Sequence, residues 1–287
     1  MTFITIQNKK IQLVLPISII IFISLLICND LTDGKTFLYS FIAFGICMIL
    51  VLWLLIISVY SINSDMYYDK KKIFISIIFI SVNWLMYLYI NYACDSIKIW
   101  DYACYYRIAL AMRDQFSSGY GSALKWVLAT IYNDEYNSFL LLFTIFPFEI
   151  TSRTIECFIN AYYVVYIIPT LLIWMSIGNR ILKKCGKDKD LVSYCVICVA
   201  VAFFPLLHAT ATKGMPDVGG VLFAGLLILI FWEYDFIKFD LKRLMIGMVV
   251  SICLFLFRRW YTFWLIAFYT TYFTGCIVFG FLNKKSY

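Results

Sequence analysis

An all-α membrane protein is what this sequence predicts, and three observations predict it. Of 287 residues, 63% are apolar and only 14% are charged, where a soluble domain carries roughly 25% charged residues. Mean hydropathy is +0.86. The apolar runs are about 15 to 24 residues long, near the length a helix needs to cross hydrocarbon, and they lack the alternation of barrel strands. Because backbone groups in lipid must pair internally, such runs fold as helices. The expected architecture is a polytopic transmembrane helical bundle of about eight spans, with juxtamembrane amphipathic helices in one long outer loop. It forms a single transmembrane domain over residues 1–287.

The chain begins with a basic flank, Lys9-Lys10, and an apolar core from Ile11 to Cys28. That core is long and has no small-x-small cleavage site, so it is expected to remain as an uncleaved first helix. The loop Asp30 to Lys35 leads to a second run, Thr36 to Tyr60, and then to Asp69-Lys70-Lys71-Lys72. Short basic loops stay in the cytoplasm, which places the N-terminus and this loop inside and Asp30 to Lys35 outside. A third run, Ile73 to Ala93, carries the chain outward.

Residues 94–137 form the one long stretch that must live outside hydrocarbon. They hold Asp95, Asp101, Asp114, Asp134 and Glu135 among the 17 acidic residues. Tyr102, Tyr105, Tyr106, Ala109, Met112 and Phe116 recur at helical spacing, as do Leu124, Val127, Leu128 and Ile131. Two amphipathic helices are predicted, broken at Ser117-Ser118-Gly119-Tyr120-Gly121, with apolar faces on the membrane or the bundle.

The following run, Phe139 to Phe148, gives about 15 Å of helix against a hydrocarbon core of about 30 Å. Residues 139–150 are therefore expected to be interfacial or re-entrant. With that choice Arg180, Lys183, Lys184, Lys187 and Lys189 fall in the cytoplasm; a spanning segment would put them outside. Further spans are expected at about Ile155–Ile177, Leu191–Leu207, Val218–Trp232, Leu241–Phe257 and Tyr261–Leu282. The scheme leaves both termini inside and gathers four polar places on the outer side: the long loop, His208 to Asp217, Arg258-Arg259, and Asp30 to Lys35.

The net charge of +7 lies in short loops; it reflects topology rather than nucleic-acid binding. Most of the ten cysteines sit in apolar runs, where Cys is a small hydrophobe. Cys195-x-x-Cys198 falls mid-span. Cys94 and Cys104 share the aqueous loop, and a disulfide between them requires an oxidising compartment. No Walker A, G-x-G-x-x-G, H-E-x-x-H or G-x-S-x-G motif is present, which removes the usual signs of nucleotide-driven transport, dinucleotide chemistry, zinc proteolysis and serine hydrolysis.

The groups that could carry chemistry lie on the outer side. Arg258-Arg259 stands where the positive-inside rule disfavours Arg; a guanidinium fork suits phosphate, and helix-end snorkelling to headgroups explains the pair equally well. Asp101 heads the first amphipathic helix, where it serves as an N-cap and, partly desolvated beside aromatic rings, suits a general base. Asp134-Glu135 can hold hydroxyls or a cation, or form a solvated turn. Pro216-Asp217 opens a span as a helix start should, with Lys213 nearby to attract an anion. His208, the sole histidine, is expected to be a helix-end residue.

Asp101-Tyr-Ala-Cys-Tyr-Tyr, a Tyr136-Asn137 followed by an apolar run ending Pro147-Phe148, Pro216-Asp217, and Arg258-Arg259-Trp260-Tyr261 together resemble the bacterial polytopic glycosyltransferases of the GT-C superfamily. The resemblance covers about Ile73 to Tyr269. The outer loop follows the third span where in the family it follows the first, and fewer spans come after it. The family resemblance implies inverting transfer of a sugar from a polyprenyl-phosphate donor to a glycan, lipid or protein acceptor at the outer face of the bacterial cytoplasmic membrane. It implies Asp101 as base, Asp217 or the Asp134-Glu135 pair as a second acidic contact, and Arg258 and Arg259 on the phosphate; Lys213 and Tyr261, beside these motifs, are further candidates for substrate binding. No cofactor and no metal are expected beyond the lipid-linked co-substrate. A non-enzymatic carrier, flippase or accessory subunit for lipid-linked saccharides would use the same arginines.

Overall fold

The computed structural model describes residues 37–62, 69–93, 101–133, 138–144, 154–205, 217–232 and 240–284, with isolated positions at 207, 209, 212 and 215. Among these residues the secondary structure is helical and no strand occurs. Helix α1 spans Phe37–Ile62, α2 Lys70–Ala93, α3 Asp101–Ser117 and α4 Tyr120–Asn133, followed by a 3-10 turn, Phe139–Phe143. Helix α5 runs over Ile155–Lys184. Then come α6 (Leu191–Ala202), α7 (Asp217–Ile230), α8 (Leu241–Phe257) and α9 (Tyr261–Lys284). The apolar run Ile11–Cys28 and the loop Asp30 to Lys35 lie outside the described residues.

Local chemistry sets the ends of these helices. Gly119, at φ 121°, separates α3 from α4 in a conformation that costs a residue with a Cβ. Helix α5 stops in a Schellman arrangement: Gly186 (φ 72°) donates to Lys183 O at 3.1 Å and Lys187 to Leu182 O at 2.9 Å. Asp190 caps α6 by accepting from the backbone N–H groups of Val192 (3.0 Å) and Ser193 (3.2 Å). Helix α6 ends at Ala202, short of the expected Leu207, because Pro205 has no N–H to donate and forces the residue before it out of helical geometry. Helix α3 is described from Asp101 onward; the residues before it and the Asp101 side chain, on which the cap rests, lie outside the described ones.

Within α5 a π-helical turn spans Tyr163–Ile167, with Ile168 N–H reaching back to Tyr163 O. Its cause is Pro169: with no N–H, it cannot continue the regular ladder, and the turn widens to pass it. Thr170 Oγ1 donates to Tyr166 O at 2.6 Å and occupies one of the loosened carbonyls.

Side-chain bonds fix the direction of the helices. From one end of α2 to the other, Lys72 Nζ donates to Asn179 Oδ1 (2.7 Å), Tyr163 OH to Asn83 Oδ1, Tyr87 OH to Ile159 O (3.1 Å) and Asn91 Nδ2 to Glu156 O (3.1 Å). Helices α2 and α5 are therefore antiparallel along their whole shared length. Helix α6 follows α2 from Tyr194, whose hydroxyl bonds Ser76 Oγ at 2.7 Å, to Ala202, whose carbonyl accepts from Asn83. Helix α7 runs with α5, from Val221 O under Trp174 Nε1 (3.2 Å) to Trp232 beneath Arg180 and Lys184. Helix α8 returns against it, and α9 turns back again, with Tyr269 OH on Ser251 Oγ at 2.7 Å. The bundle thus has a basic end, at the starts of α2, α6 and α8 and the ends of α5, α7 and α9, and an opposite end.

Among the described residues two helices, α2 and α5, are long and apolar enough to cross a membrane; Met48–Ile57 of α1, α6 and Val218–Ile230 of α7 are shorter apolar helices. Helix α2 is inverted relative to a helix in water. It buries Lys72, Ser76, Ile80, Asn83, Tyr87 and Asn91 and exposes Phe74 (65%), Leu85 (65%) and Tyr89 (70%). Soluble amphipathic helices do the opposite.

The core lies between α5, α7 and α8, where Tyr166 meets Phe257 edge-on at 5.2 Å and Phe257 meets Phe223 at 5.0 Å. The 3-10 turn reaches into it. Leu141, Leu142, Phe143 and Thr144 are buried, and Phe143 stands edge-on to Tyr166 at 6.5 Å. Tyr166 lies about 16 Å along α5 from its start, so residues 139–143 are inserted between helices from the end opposite the lysines.

Candidate functional site

The sequence FLFRRWYTFW folds as two helices with a sharp junction. Helix α8 closes at Phe257 because Arg258 is extended (φ −155°, ψ 139°). The N–H groups of Tyr261 and Thr262 then bond Arg258 O and Arg259 O, each at 3.0 Å, and start α9. The junction leaves Arg258 half-buried and turns Arg259 outward.

Arg259 Nη2 donates to Ile131 O and to Tyr132 O, both at 3.2 Å. These carbonyls belong to the last turn of α4 and have no partner within the helix, and a cation there is favoured by the helix dipole. One guanidinium nitrogen makes both contacts. The contact ties the α8–α9 junction to the base of the loop that carries Asp134 and Glu135. Asp134 follows Tyr132 by two residues, a reach of about 7 Å at most.

That loop has a fixed neck. Thr130 and Ser138 are buried and their hydroxyls bond at 2.7 Å, while Ser138 N–H donates to Thr130 Oγ1 at 3.1 Å. Beside it, Ile131, Tyr132, Phe255, Leu256 and Arg259 line a cavity of about 240 Å³. A cation, backbone carbonyls and an apolar wall share this one cavity.

The first turn of α7 completes the neighbourhood. A Cβ at Gly219 would stand 2.1 Å from the Phe257 ring, and one at Gly220 would stand 2.1 Å from the Tyr261 ring. Two glycines therefore let Phe257, just before the arginine pair, and Tyr261, two residues after it, pack closely on α7 just after Asp217.

The start of α3 lies at the same end. Tyr106 packs on Phe158 at 6.0 Å, in the first turns of α5. Burial raises the Tyr106 phenol above its ordinary value, and Glu156 and then Cys157 add to the shift.

The structure brings together Arg259, Tyr261, the head of α7 that begins with Asp217, and the root of the loop bearing Asp134 and Glu135. Arg258 is next to them in the junction. Asp134, Glu135, Lys213 and His208 lie outside the described residues, as do the side chains of Asp101 and Asp217; the described contacts do not connect Asp101 with Arg259. Among the described residues no group of three or more His, Cys, Asp or Glu could hold a metal. Cys104, Cys195 and Cys198 are unbridged among the described residues, and Cys94 lies outside them.

Two charged residues escape a reading of the sequence. Glu156 sits in the first turn of α5; its signal is an ionisable group at the edge of an apolar run. Lys72, one of three consecutive lysines, is buried rather than solvated. Its Nζ donates to Asn179 Oδ1 and to the carbonyl and carboxylate of Asp188, the last at 3.3 Å, and lies 5.4 Å above the Tyr194 ring.

Comparison with protein-family models, curated proteins and solved structures finds no match for the chain.

Proposed function

We propose that the chain is a membrane-embedded, all-helical glycosyltransferase that moves a sugar from a polyprenyl-phosphate donor to a glycan, lipid or protein acceptor. In this reading the bundle crosses the bacterial cytoplasmic membrane with about eight spans. The lysine-rich end is cytoplasmic and the Arg259 end faces outward. The inverted burial of α2 supports embedding, since a helix that turns apolar residues out and polar residues in matches a hydrocarbon solvent.

The observation that carries the proposal is Arg259. It sits against a 240 Å³ cavity lined by Phe255 and Leu256 and by Ile131 and Tyr132 at the end of α4. A lipid phosphate needs that combination: a guanidinium for the charge and an apolar surface for the first prenyl units. Asp101, at the start of α3, takes the proton of the acceptor hydroxyl as its oxygen attacks the anomeric carbon. The carbon–oxygen bond to phosphate breaks, and polyprenyl phosphate leaves with the electron pair. Phosphate leaves readily once neutralised, so electrostatic stabilisation by Arg259, with Arg258 behind it, does most of the work. Asp134, Glu135, Lys213, Asp217 and Tyr261 hold the sugar and acceptor.

The test is sugar transfer from polyprenyl-phosphate donors by the purified chain. Asp101→Asn and Arg259→Ala should each reduce transfer by about 100-fold or more. Unchanged transfer in both variants would remove the site assignment.

A carrier of lipid-linked saccharides is the second reading, and the π-helical turn in α5 beside the polar face of α2 favours it, because transporters place irregular and polar helix segments at mid-depth. Translocation of the donor across vesicles without any transfer product would select it.

A further inference from the structure

At the basic end a second site is formed. Trp53 and Ile56 of α1, Ile73, Ser76 and Ile77 of α2, and Pro169 and Leu172 of α5 line a cavity of about 210 Å³. Its one polar side chain, Ser76, is already engaged: Oγ bonds Tyr194 OH at 2.7 Å and donates to Lys72 O at 2.9 Å. An apolar cavity with its polar atoms satisfied does not hold water well.

The rim has the opposite character. Lys70, Ile73 and Ile77 fall on one stripe of α2, at i, i+3 and i+7, so Lys70 stands over the cavity one turn nearer the end of the bundle. Lys71, about 100° further round the helix, is exposed on another face, and Lys187 and Lys189 are exposed in the α5–α6 connection. That connection is fixed by the Schellman turn and Asp190, and it is held to α2 through Asp188, whose carbonyl and carboxylate accept from Lys72. Two basic groups more than a hundred residues apart thus become one surface beside the apolar cavity.

We infer that this is a binding site for an anionic phospholipid of the bilayer, with its headgroup phosphate on Lys70 and one acyl chain in the cavity against Trp53 and Ile77. The site requires only that the helices be embedded. It is at the end of the bundle opposite Arg259, so loss of sugar transfer leaves it untouched.

The experiment uses the full chain in zwitterionic detergent and two phospholipids with the same brominated acyl chain, phosphatidylglycerol and phosphatidylcholine. Bromine quenches tryptophan on contact, and the part of the quenching lost in Trp53→Phe reports the cavity. Phosphatidylglycerol should quench that part at about fivefold lower concentration than phosphatidylcholine, and Lys70→Ala should abolish the preference, given one phosphate-facing lysine. Lys70 is exposed, and unchanged circular dichroism checks that the variant folds. Equal quenching by the two lipids, a preference that survives in the lysine variant, or full displacement by the chain-free headgroup glycerophosphoglycerol would each overturn the inference.

Discussion

Removing either partner of the Lys72–Asp188 pair should have unequal effects, because the two charges have unequal access to water. The Lys72 side chain is 3% exposed and that of Asp188 56%, with 3.3 Å between Nζ and Oδ1. At an effective dielectric of about 20 the gross attraction is about 5 kcal/mol, most of which offsets the several kcal/mol needed to desolvate the ammonium. In Lys72→Met the desolvation cost vanishes with the charge, Asp188 turns to water, and the stem volume is kept. The loss is that of hydrogen bonds to a charged donor, about 1–2 kcal/mol. In Asp188→Asn the ammonium stays buried with the Asn179 amide oxygen, a carbonyl, the Tyr194 ring and a neutral amide in place of its counter-charge, and since breaking a fully buried pair costs about 3–5 kcal/mol, the loss here should be about 3 kcal/mol. Unfolding of the purified protein in detergent, followed by near-ultraviolet circular dichroism, measures both. The double variant should recover much of what Asp188→Asn loses. A Lys72→Met variant less stable than Asp188→Asn, or additive losses in the double variant, would refute the reasoning.

Gly219→Ala drives a methyl group into Phe257, which is held between Tyr166 at 5.2 Å and Phe223 at 5.0 Å. Overpacking of about 1–3 kcal/mol less about 1 kcal/mol of helix propensity leaves a net loss of up to about 2 kcal/mol in the same unfolding assay. Gly220→Ala meets only the half-exposed Tyr261 ring, which can swing, so stability should change little while sugar transfer falls as the Arg259 junction shifts. The Ser193 hydroxyl and N–H hold the Asp190 carboxyl below the usual carboxylate range. That cap therefore adds stability above about pH 4, the unfolded carboxylate value, and loses it as pH falls through the lower folded value. Asp190→Asn keeps a cap that does not titrate, so the acid-unfolding profiles of the two proteins should differ in slope only below about pH 4. Arg259→Ala should speed amide hydrogen exchange in the last turn of α4 and leave α5 and α7 unchanged; uniform acceleration across the bundle would show that Arg259 does more than hold α4.

The helices were legible because apolar run length and punctuation are local. Gly119, Asp190 and Pro205 end or begin helices for reasons written within a few residues of each. Part of the inward face of α2 is written in the sequence, since Ser76, Asn83, Tyr87 and Asn91 follow helical spacing inside an apolar run, and polar groups in such a run mark the side turned from lipid; Lys72, among three lysines at the edge of that run, carries no such mark. The π-helical turn was half visible. Pro169 announces an irregularity, while its placement one turn upstream depends on how Tyr163 and Tyr166 pack on Asn83 and Phe257. The partners of Arg259 could not be read at all: they are backbone carbonyls, which leave no side-chain signature, and residues of many kinds at 131 and 132 would present them.

The nature of those partners bears on which cation can serve a ligand. Lys72 spends its charge on a full carboxylate, and what remains to an approaching anion is close to a neutral pair. Arg259 meets two carbonyls that carry only partial charge, and it meets them through one nitrogen of three. The carbonyls orient the guanidinium without cancelling it. Almost a unit of positive charge is therefore left, fixed in direction, on a cavity wall. Helix-end snorkelling accounts for a cation near a membrane boundary, but it does not require one anchored to the end of another helix. The proposed lipid phosphate would favour such an anchor, because a guanidinium already held in place loses less freedom on binding than one that must be ordered by the ligand itself.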